Sequence, residues 1–242
     1  MRERVGKVQA TAHDTGVERA RVGKAVRDLG HAVVGHHASA ELLADVADTL
    51  EGLAATLDGG PPRRRQPELE GTVLTVELPD NQPIVGYDDR PFSGRASPWG
   101  LDLEVHRNGD EIEGRLTLGA AHEGAPERSH GGIVAGLFDD VFGFVLGMLQ
   151  QAAFTGELTI RYQAPTPLHR RLACRGRLRE RVGRKIWIEG ELVDLESRGE
   201  PVVARAHGLF IAVDTERLLT PTAALPAPPD ERDVPTEPDV SA

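Results

Sequence analysis

The chain has 242 residues, enough for one domain of ordinary size with extensions or for two small domains. Hydrophobic residues make up 39% and charged residues 27%, so a packed core is possible and disorder throughout the chain is excluded. The net charge of −10 argues against a dedicated nucleic-acid-binding protein. The single cysteine, Cys174, excludes an internal disulfide and a cysteine-based zinc cluster.

Residues 1–66 are predicted to form a helical extension that ends in a linker. Five aliphatic residues recur at steps of three and four, the spacing of one apolar helix face. They are Leu43, Val46, Leu50, Leu53 and Leu57. This face is expected to pack either on the main domain or on a partner helix, with packing inside the chain the commoner case. The first six residues carry no secretory signal, which favours a cytoplasmic location.

The chain from 67 to 215 is predicted to be one α+β domain, and the proline-rich residues 216–242 to be a disordered tail. Asn108-Gly109 joins two alternating segments and strongly indicates a hairpin, because both turn positions need a positive φ. The predicted strands cover residues 71–78, 101–106, 110–118, 155–163, 172–182, 185–195 and 202–213. A long apolar helix near 131–149 separates the third strand from the fourth.

That helix is predicted to lie in the core of the domain and not in a membrane. Asp139 and Asp140 stand at its middle, where each charge would cost roughly 3 kcal/mol in a bilayer. On a helical wheel Asp139 shares one face with Gly132, Gly136, Gly143 and Gly147. Such a glycine face indicates close approach either of a ligand or of another part of the protein.

A carboxylate on this face is a candidate for chemistry, whereas Asp140 points elsewhere and is expected to have a structural partner. The helix opens with His130-Gly131-Gly132, where free backbone N–H groups and the positive end of the helix dipole can stabilise an oxyanion. A histidine at this position also commonly serves as a helix cap. These residues together suit the hydrolysis of an ester or thioester.

Several motifs in order resemble the PaaI-like and THEM4-like acyl-CoA thioesterases of the 4-hydroxybenzoyl-CoA thioesterase superfamily. They are His130-Gly131-Gly132, Asp139 nine residues after the histidine, the segment 158–162, and Pro165-Thr166-Pro167. The similarity runs from about residue 97 to residue 213. It implies the hotdog fold, in which an antiparallel sheet wraps around one long helix.

The resemblance also implies roles for individual residues. Asp139 would act as general base or nucleophile, the Gly131 amide would polarise the thioester carbonyl, and His130 would help to place the thioester. Thr155 would orient the attacking water and act on Asp139 of a partner chain, in a homodimer or a dimer of dimers. No metal or organic cofactor is implied. The chain departs from many relatives in having Ser97 where they have asparagine.

Residues 161–185 hold nine basic side chains and one acid, a local charge of +8. Arginines at 175, 177, 179 and 181 alternate with core residues and form a ladder on one face of a strand. Such a ladder is commonly solvated, but arginines also suit the phosphates of CoA. Gly132, Arg161, Arg184 and Lys185 are the predicted substrate contacts.

Three functions fit these features. Acyl-CoA thioester hydrolysis is favoured. A non-catalytic acyl-CoA-binding or regulatory protein is the alternative, although a pure binder has no need of Asp139 and Thr155. A hydratase or dehydratase with the same fold is disfavoured because its aspartate–histidine signature is missing.

Overall fold

The structure is a computed structural model that describes residues 2–60, 77–84, 86 and 88–214, with side chains described from residue 16 onward. The helices in that part of the chain are α1 (Arg2–Gly35), α2 (Ala40–Asp58) and α3 (Gly131–Met148), with a short 3₁₀ turn at Ala120–His122. The strands are β1 (Pro83–Ile84), β2 (Glu104–Asn108), β3 (Glu111–Thr117), β4 (Ala153–Tyr162), β5 (Arg171–Val182), β6 (Lys185–Asp194) and β7 (Val202–Ala212).

The seven strands form one antiparallel sheet in the order β1-β2-β3-β5-β6-β7-β4, and α3 packs against it. This confirms the predicted α+β class and the sheet around one long helix. The Asn108-Gly109 hairpin is present, with Gly109 at a φ of +65°. The predicted strand 71–78 lies almost wholly outside the described residues. The predicted linker from residue 61 and the predicted tail at 216–242 also lie outside them.

The core is built around the aromatic rings of α3. Phe142 is fully buried and lies over glycines 176, 190 and 208, which come from three neighbouring strands. A Cβ atom at Gly190 would lie 2.7 Å from the Phe142 ring. The small residues of the sheet therefore make the space that the large residue of the helix fills.

Helix α3 has the length and apolarity of a membrane-spanning segment, but 56% of it is buried inside the protein. Its position against the sheet agrees with the predicted core helix. Cys174 is also fully buried, and burial raises the pKa of its thiol well above the ordinary value. The predicted role of Cys174 as a packing residue is therefore consistent with the structure.

Helix α1 is attached to the domain along one face. Arg27 is buried and donates hydrogen bonds to the backbone oxygens of Arg95, at 3.0 Å, and Ser97, at 2.6 Å. One turn further along α1, His31 Nδ1 accepts a hydrogen bond from the backbone N–H of Ala121 at 3.0 Å. The first helix of the extension is thus part of the folded domain.

Helix α2 behaves differently, and the commoner expectation for its apolar face is wrong. Ser39 caps the helix by accepting a hydrogen bond from the Leu42 N–H at 3.2 Å. No residue of α2 is buried, and Leu53 and Leu57 are 57% and 75% exposed. The leucine face therefore does not pack on any described part of its own chain.

Candidate active site

The start of α3 is fixed by a histidine cap. His130 has extended backbone angles, and its Nδ1 accepts a hydrogen bond from the Gly132 N–H at 3.0 Å. An accepting Nδ1 places the ring proton of neutral His130 on Nε2. The Gly132 amide is used by this cap and is not a free donor for substrate.

The Gly131 peptide is held by a residue that the sequence did not single out. The Tyr162 hydroxyl, from the end of β4, donates a hydrogen bond to the Gly131 carbonyl oxygen at 2.8 Å. The Gly131 N–H has no acceptor among the described residues. This amide is therefore a free donor at the positive end of the helix dipole, as an oxyanion site requires.

Asp139 and Thr155 form a hydrogen-bonded pair within one chain. The Thr155 hydroxyl donates to Asp139 Oδ1 at 2.9 Å, and both side chains are exposed. A β-bulge between Thr155 and Glu157 interrupts the pairing of β4 with β7, and bulges change the direction of nearby side chains. The expectation that Thr155 acts on Asp139 of a partner chain is wrong, because the hydrogen bond joins the two side chains within one molecule.

Asp140 has a structural partner, as its position on the helical wheel predicted. Arg90 Nη2 lies 2.6 Å from Asp140 Oδ1, and both side chains are largely buried. The same guanidinium also lies over the Phe144 ring, 4.5 Å from its centroid. The two adjacent aspartates therefore have different environments, one enclosed in an ion pair and one open to solvent.

Two of the four glycines on this face are explained by packing inside the chain. The Phe92 ring occupies the space beside Gly136, where any Cβ atom would collide with it. A Cβ atom at Gly143 would lie 2.6 Å from Arg90 Nη2. Of the two interpretations of this face, close approach of another part of the protein is the one observed at these two positions.

The Gly131 amide and the Asp139 carboxylate of one chain are too far apart to act on one carbonyl group. They are eight residues apart on α3, which corresponds to about 12 Å along the helix axis. In a working site the oxyanion donor lies about 3 Å from the carbonyl oxygen, and the base lies about 3 Å from the water that attacks the carbonyl carbon. One chain therefore supplies both kinds of group but not one complete site.

The predicted substrate-binding basic residues lie at two ends of the sheet. In the strand register Arg161 is opposite Arg205, whereas Lys185 is opposite Ile211, a separation of about 20 Å along β7. Thr155 pairs with Phe210, so Lys185 lies at the Asp139 end and Arg161 lies at the Gly131 end. A cavity of about 410 Å³ at the Asp139 end is lined by Arg181, Arg184 and their neighbours.

Two of the four arginines in the β5 ladder are paired with acids on the adjacent strands. Arg177 contacts Glu189 at 2.6 Å, and Arg175 contacts Glu113 at 2.8 Å. Burial alone would raise the pKa of Glu113, but hydrogen bonds from Arg175 and Arg115 outweigh it and leave the pKa below its ordinary value. Arg175 and Arg177 therefore belong to an ion-pair lattice, whereas Arg181 donates to the neutral amide of Gln151 at 2.8 Å.

Comparison with known proteins supports this description. No protein-family model matches the chain. The acyl-coenzyme A thioesterase THEM4 of Mus musculus is 29% identical over 125 residues, which are 50% of this chain and 53% of that protein. The chain thus spans about half the length of the curated relative that it matches.

One solved structure shares the architecture, and a second is less similar. A thioesterase superfamily protein has 25% identity and a TM-score of 0.67, covering 80% of this chain and 94% of its own. The PaaI protein of E. coli has 19% identity and a TM-score of 0.43, covering 46% of this chain and 83% of its own.

The molecule described here is a hotdog-fold protein. Within that fold it is similar to the mouse thioesterase THEM4 over half of its length and to a thioesterase superfamily protein over 80% of it, which confirms the resemblance to thioesterases that the sequence motifs indicated.

Proposed function

We propose that this protein hydrolyses an acyl-CoA thioester to a free acid and CoA. The observation that carries the proposal is the exposed Asp139–Thr155 pair on a helix whose first amide, at Gly131, is unpaired within the described chain. The similarity to a mouse acyl-CoA thioesterase supports the substrate class.

The proposed site needs two copies of the chain. Since Gly131 and Asp139 lie about 12 Å apart, antiparallel pairing of α3 with α3 of a second copy would bring one copy's amide to the other's carboxylate. Strand β4 is an edge of the sheet, and it carries exposed Phe154 and Tyr162 near its two ends. We propose that this edge lies in the interface of a homodimer.

In the proposed reaction Asp139 takes a proton from water as the water oxygen attacks the thioester carbonyl carbon. Thr155 holds Oδ1, which leaves Oδ2 to accept the proton. The Gly131 N–H of the second copy stabilises the oxyanion. Collapse of the tetrahedral intermediate breaks the C–S bond, and the proton passes from Asp139 to the CoA thiolate. Direct attack by Asp139 would form a mixed anhydride whose hydrolysis gives the same products.

The central test is a thiol-release assay with aliphatic and aromatic acyl-CoA thioesters. Asp139→Asn should lower kcat by at least about 100-fold, because it removes the base. CoA affinity should stay within a few-fold, and Glu157→Gln, an exposed carboxylate on β4, serves as the matched control. A wild-type protein that binds CoA but releases no thiol from any thioester would indicate a binding protein. Full activity in Asp139→Asn would remove Asp139 from the mechanism.

The Gly131 amide can be tested separately. Proline at the first position of a helix is well tolerated and lacks the N–H, so Gly131→Pro removes the donor. Gly131→Ala adds the same Cβ, 3.1 Å from the Tyr162 hydroxyl, and keeps the N–H. We expect Gly131→Pro to lose about 100-fold or more in kcat relative to Gly131→Ala.

A site shared between two copies also predicts the activity of mixed dimers. Mixed dimers of Asp139→Asn and Gly131→Pro chains contain one intact site and one doubly altered site. Random mixing should therefore restore about a quarter of the wild-type activity. If both groups acted within one chain, no mixture would recover activity.

A further inference from the structure

Helices α1 and α2 both carry an apolar face that the described part of their own chain leaves uncovered. On α2 the face consists of Leu43, Val46, Leu50, Leu53 and Leu57, and we call it the leucine face. Leu50 is 40% exposed and Leu53 is 57% exposed. Isolated helices of this length are marginal in water, so an amphipathic helix of 19 residues gains most of its stability by packing.

Helix α1 has two separate faces. Gly23, Arg27 and His31 point at the domain and attach the helix to it. A second face, which we call the valine face, is turned about 130° away on the helical wheel. It consists of Val22, Val26, Leu29 and Val33, of which the three valines are between 43% and 53% exposed.

The two faces match in spacing and length. The valine face repeats at steps of four, three and four, and the leucine face at three, four, three and four. Both are therefore narrow stripes of the kind that pack as knobs into holes between two helices. Their lengths along the helix axis are about 17 Å and 21 Å.

The two helices also have opposite charges. Helix α2 has acidic residues at 41, 45, 48, 51 and 58 and no basic residue. Helix α1 has seven basic residues and four acidic ones. Pairing of α2 with another α2 would bring like charges together, whereas pairing of α2 with α1 brings opposite charges together.

The two helices of one chain do not make this contact. Only residues 36–39 separate them, yet both faces remain exposed. We infer that the leucine face of α2 packs on the valine face of α1 in a second copy of this chain. A two-fold axis then forms two such contacts at once, so the N-terminal extension is a dimerisation element.

Disulfide trapping in the full chain tests this inference. Val26 and Leu50 lie near the middle of their faces, so they should meet whether the helices run parallel or antiparallel. Cys174 is buried, which leaves Val26→Cys/Leu50→Cys as the reactive pair. Oxidation at low protein concentration should give a covalent dimer, seen as a doubled mass that a reductant reverses. An intrachain disulfide, or two thiols that stay free, would overturn the inference.

Two controls make the result specific. Val26→Cys/Ala55→Cys places the second thiol on the opposite face of α2 and should give no covalent dimer. Adding Leu53→Glu/Leu57→Glu to the reactive pair should abolish the dimer, whereas adding Ala44→Glu/Ala55→Glu, with the same charge change, should preserve it. Equal yields of covalent dimer in all variants would show that the disulfides form by random collision of the chains. Acyl-CoA hydrolysis is measured on the same samples. A failure of the proposed hydrolysis is therefore distinguished from a failure of the proposed contact between α2 and α1.

Discussion

The Thr155 hydroxyl donates a hydrogen bond to Asp139 Oδ1 in the same chain, across the gap between an edge strand and the central helix. Such a bond fixes the orientation of the carboxylate and leaves its second oxygen for a water molecule. Thr155 lies directly before the bulge between Thr155 and Glu157, which breaks the regular alternation of β4. The hydrogen bond thus joins an irregular part of the sheet to the middle of the helix.

Replacing Thr155 by valine should lower kcat about 10- to 100-fold, because a hydrogen bond to a charged group contributes about 1.5–3 kcal/mol. Thr155→Ser keeps the donor and should stay within a few-fold of wild type. The matched control is Thr159→Val on the same strand, since Thr159 donates instead to Glu157 at 2.8 Å. Steady-state assays with a thioester that the wild type hydrolyses measure kcat for each variant. Equal kcat for Thr155→Val and Thr159→Val would contradict the role proposed for Thr155.

Asp139 and Asp140 should contribute differently to the free energy of unfolding. Asp140→Asn breaks the buried pair with Arg90 and should lower the free energy of unfolding by about 3 kcal/mol or more. Asp139→Asn changes an exposed group and should alter it by less than about 0.5 kcal/mol. Urea unfolding of both variants measures the difference. Equal midpoints would show that the enclosed ion pair is not formed.

Acid should lower the stability of the folded chain through His122, which lies where α1 contacts the domain. Burial, together with the nearby His31, lowers the pKa of His122 to about 4 from its ordinary 6.5. The unfolded chain therefore takes up the proton first, and stability present above pH 6.5 is lost as the pH falls toward 4. The two rings are 4.7 Å apart, and His122 Nδ1 accepts the Gly119 N–H at 3.1 Å.

His122→Asn, which keeps an acceptor without the titration, should flatten this pH dependence. The melting temperature is measured at pH 7 and at pH 5, with His37→Asn in the exposed link between α1 and α2 as the control. Wild type and His37→Asn should lose stability in parallel, and His122→Asn should lose less. The same loss in all three proteins would mean that His122 does not cause it.

Local patterns in the sequence predict much of the fold. The hairpin at Asn108-Gly109 and the limits of α3 follow from turn geometry and from helix spacing, which act within a few residues. The separation of Asp139 from Asp140 follows from the helical wheel alone. The histidine cap was also among the expected possibilities.

Contacts between distant segments were not predictable in the same way. Arg90 and Phe92 lie in a segment without regular periodicity, and nothing near them in sequence indicates that they pack on α3. The partners of Arg27 are backbone oxygens, which any residue supplies. The pairing of Arg175 and Arg177 was not predictable because the acids that bind them lie on other strands, which are next to β5 only after the sheet has formed.

The basic residues that remain candidates for CoA binding can be separated from those in the lattice. Arg184 donates through Nε to the Ala212 oxygen at 3.0 Å, and it lines the cavity near the Asp139 end of the sheet. Arg184→Ala should therefore raise KM for acyl-CoA about tenfold with little change in kcat, because a charge-assisted contact to phosphate is lost. Arg177→Ala, whose guanidinium is bound to Glu189, should leave KM unchanged. If the two variants raise KM equally, Arg184 has no specific part in binding the CoA phosphates.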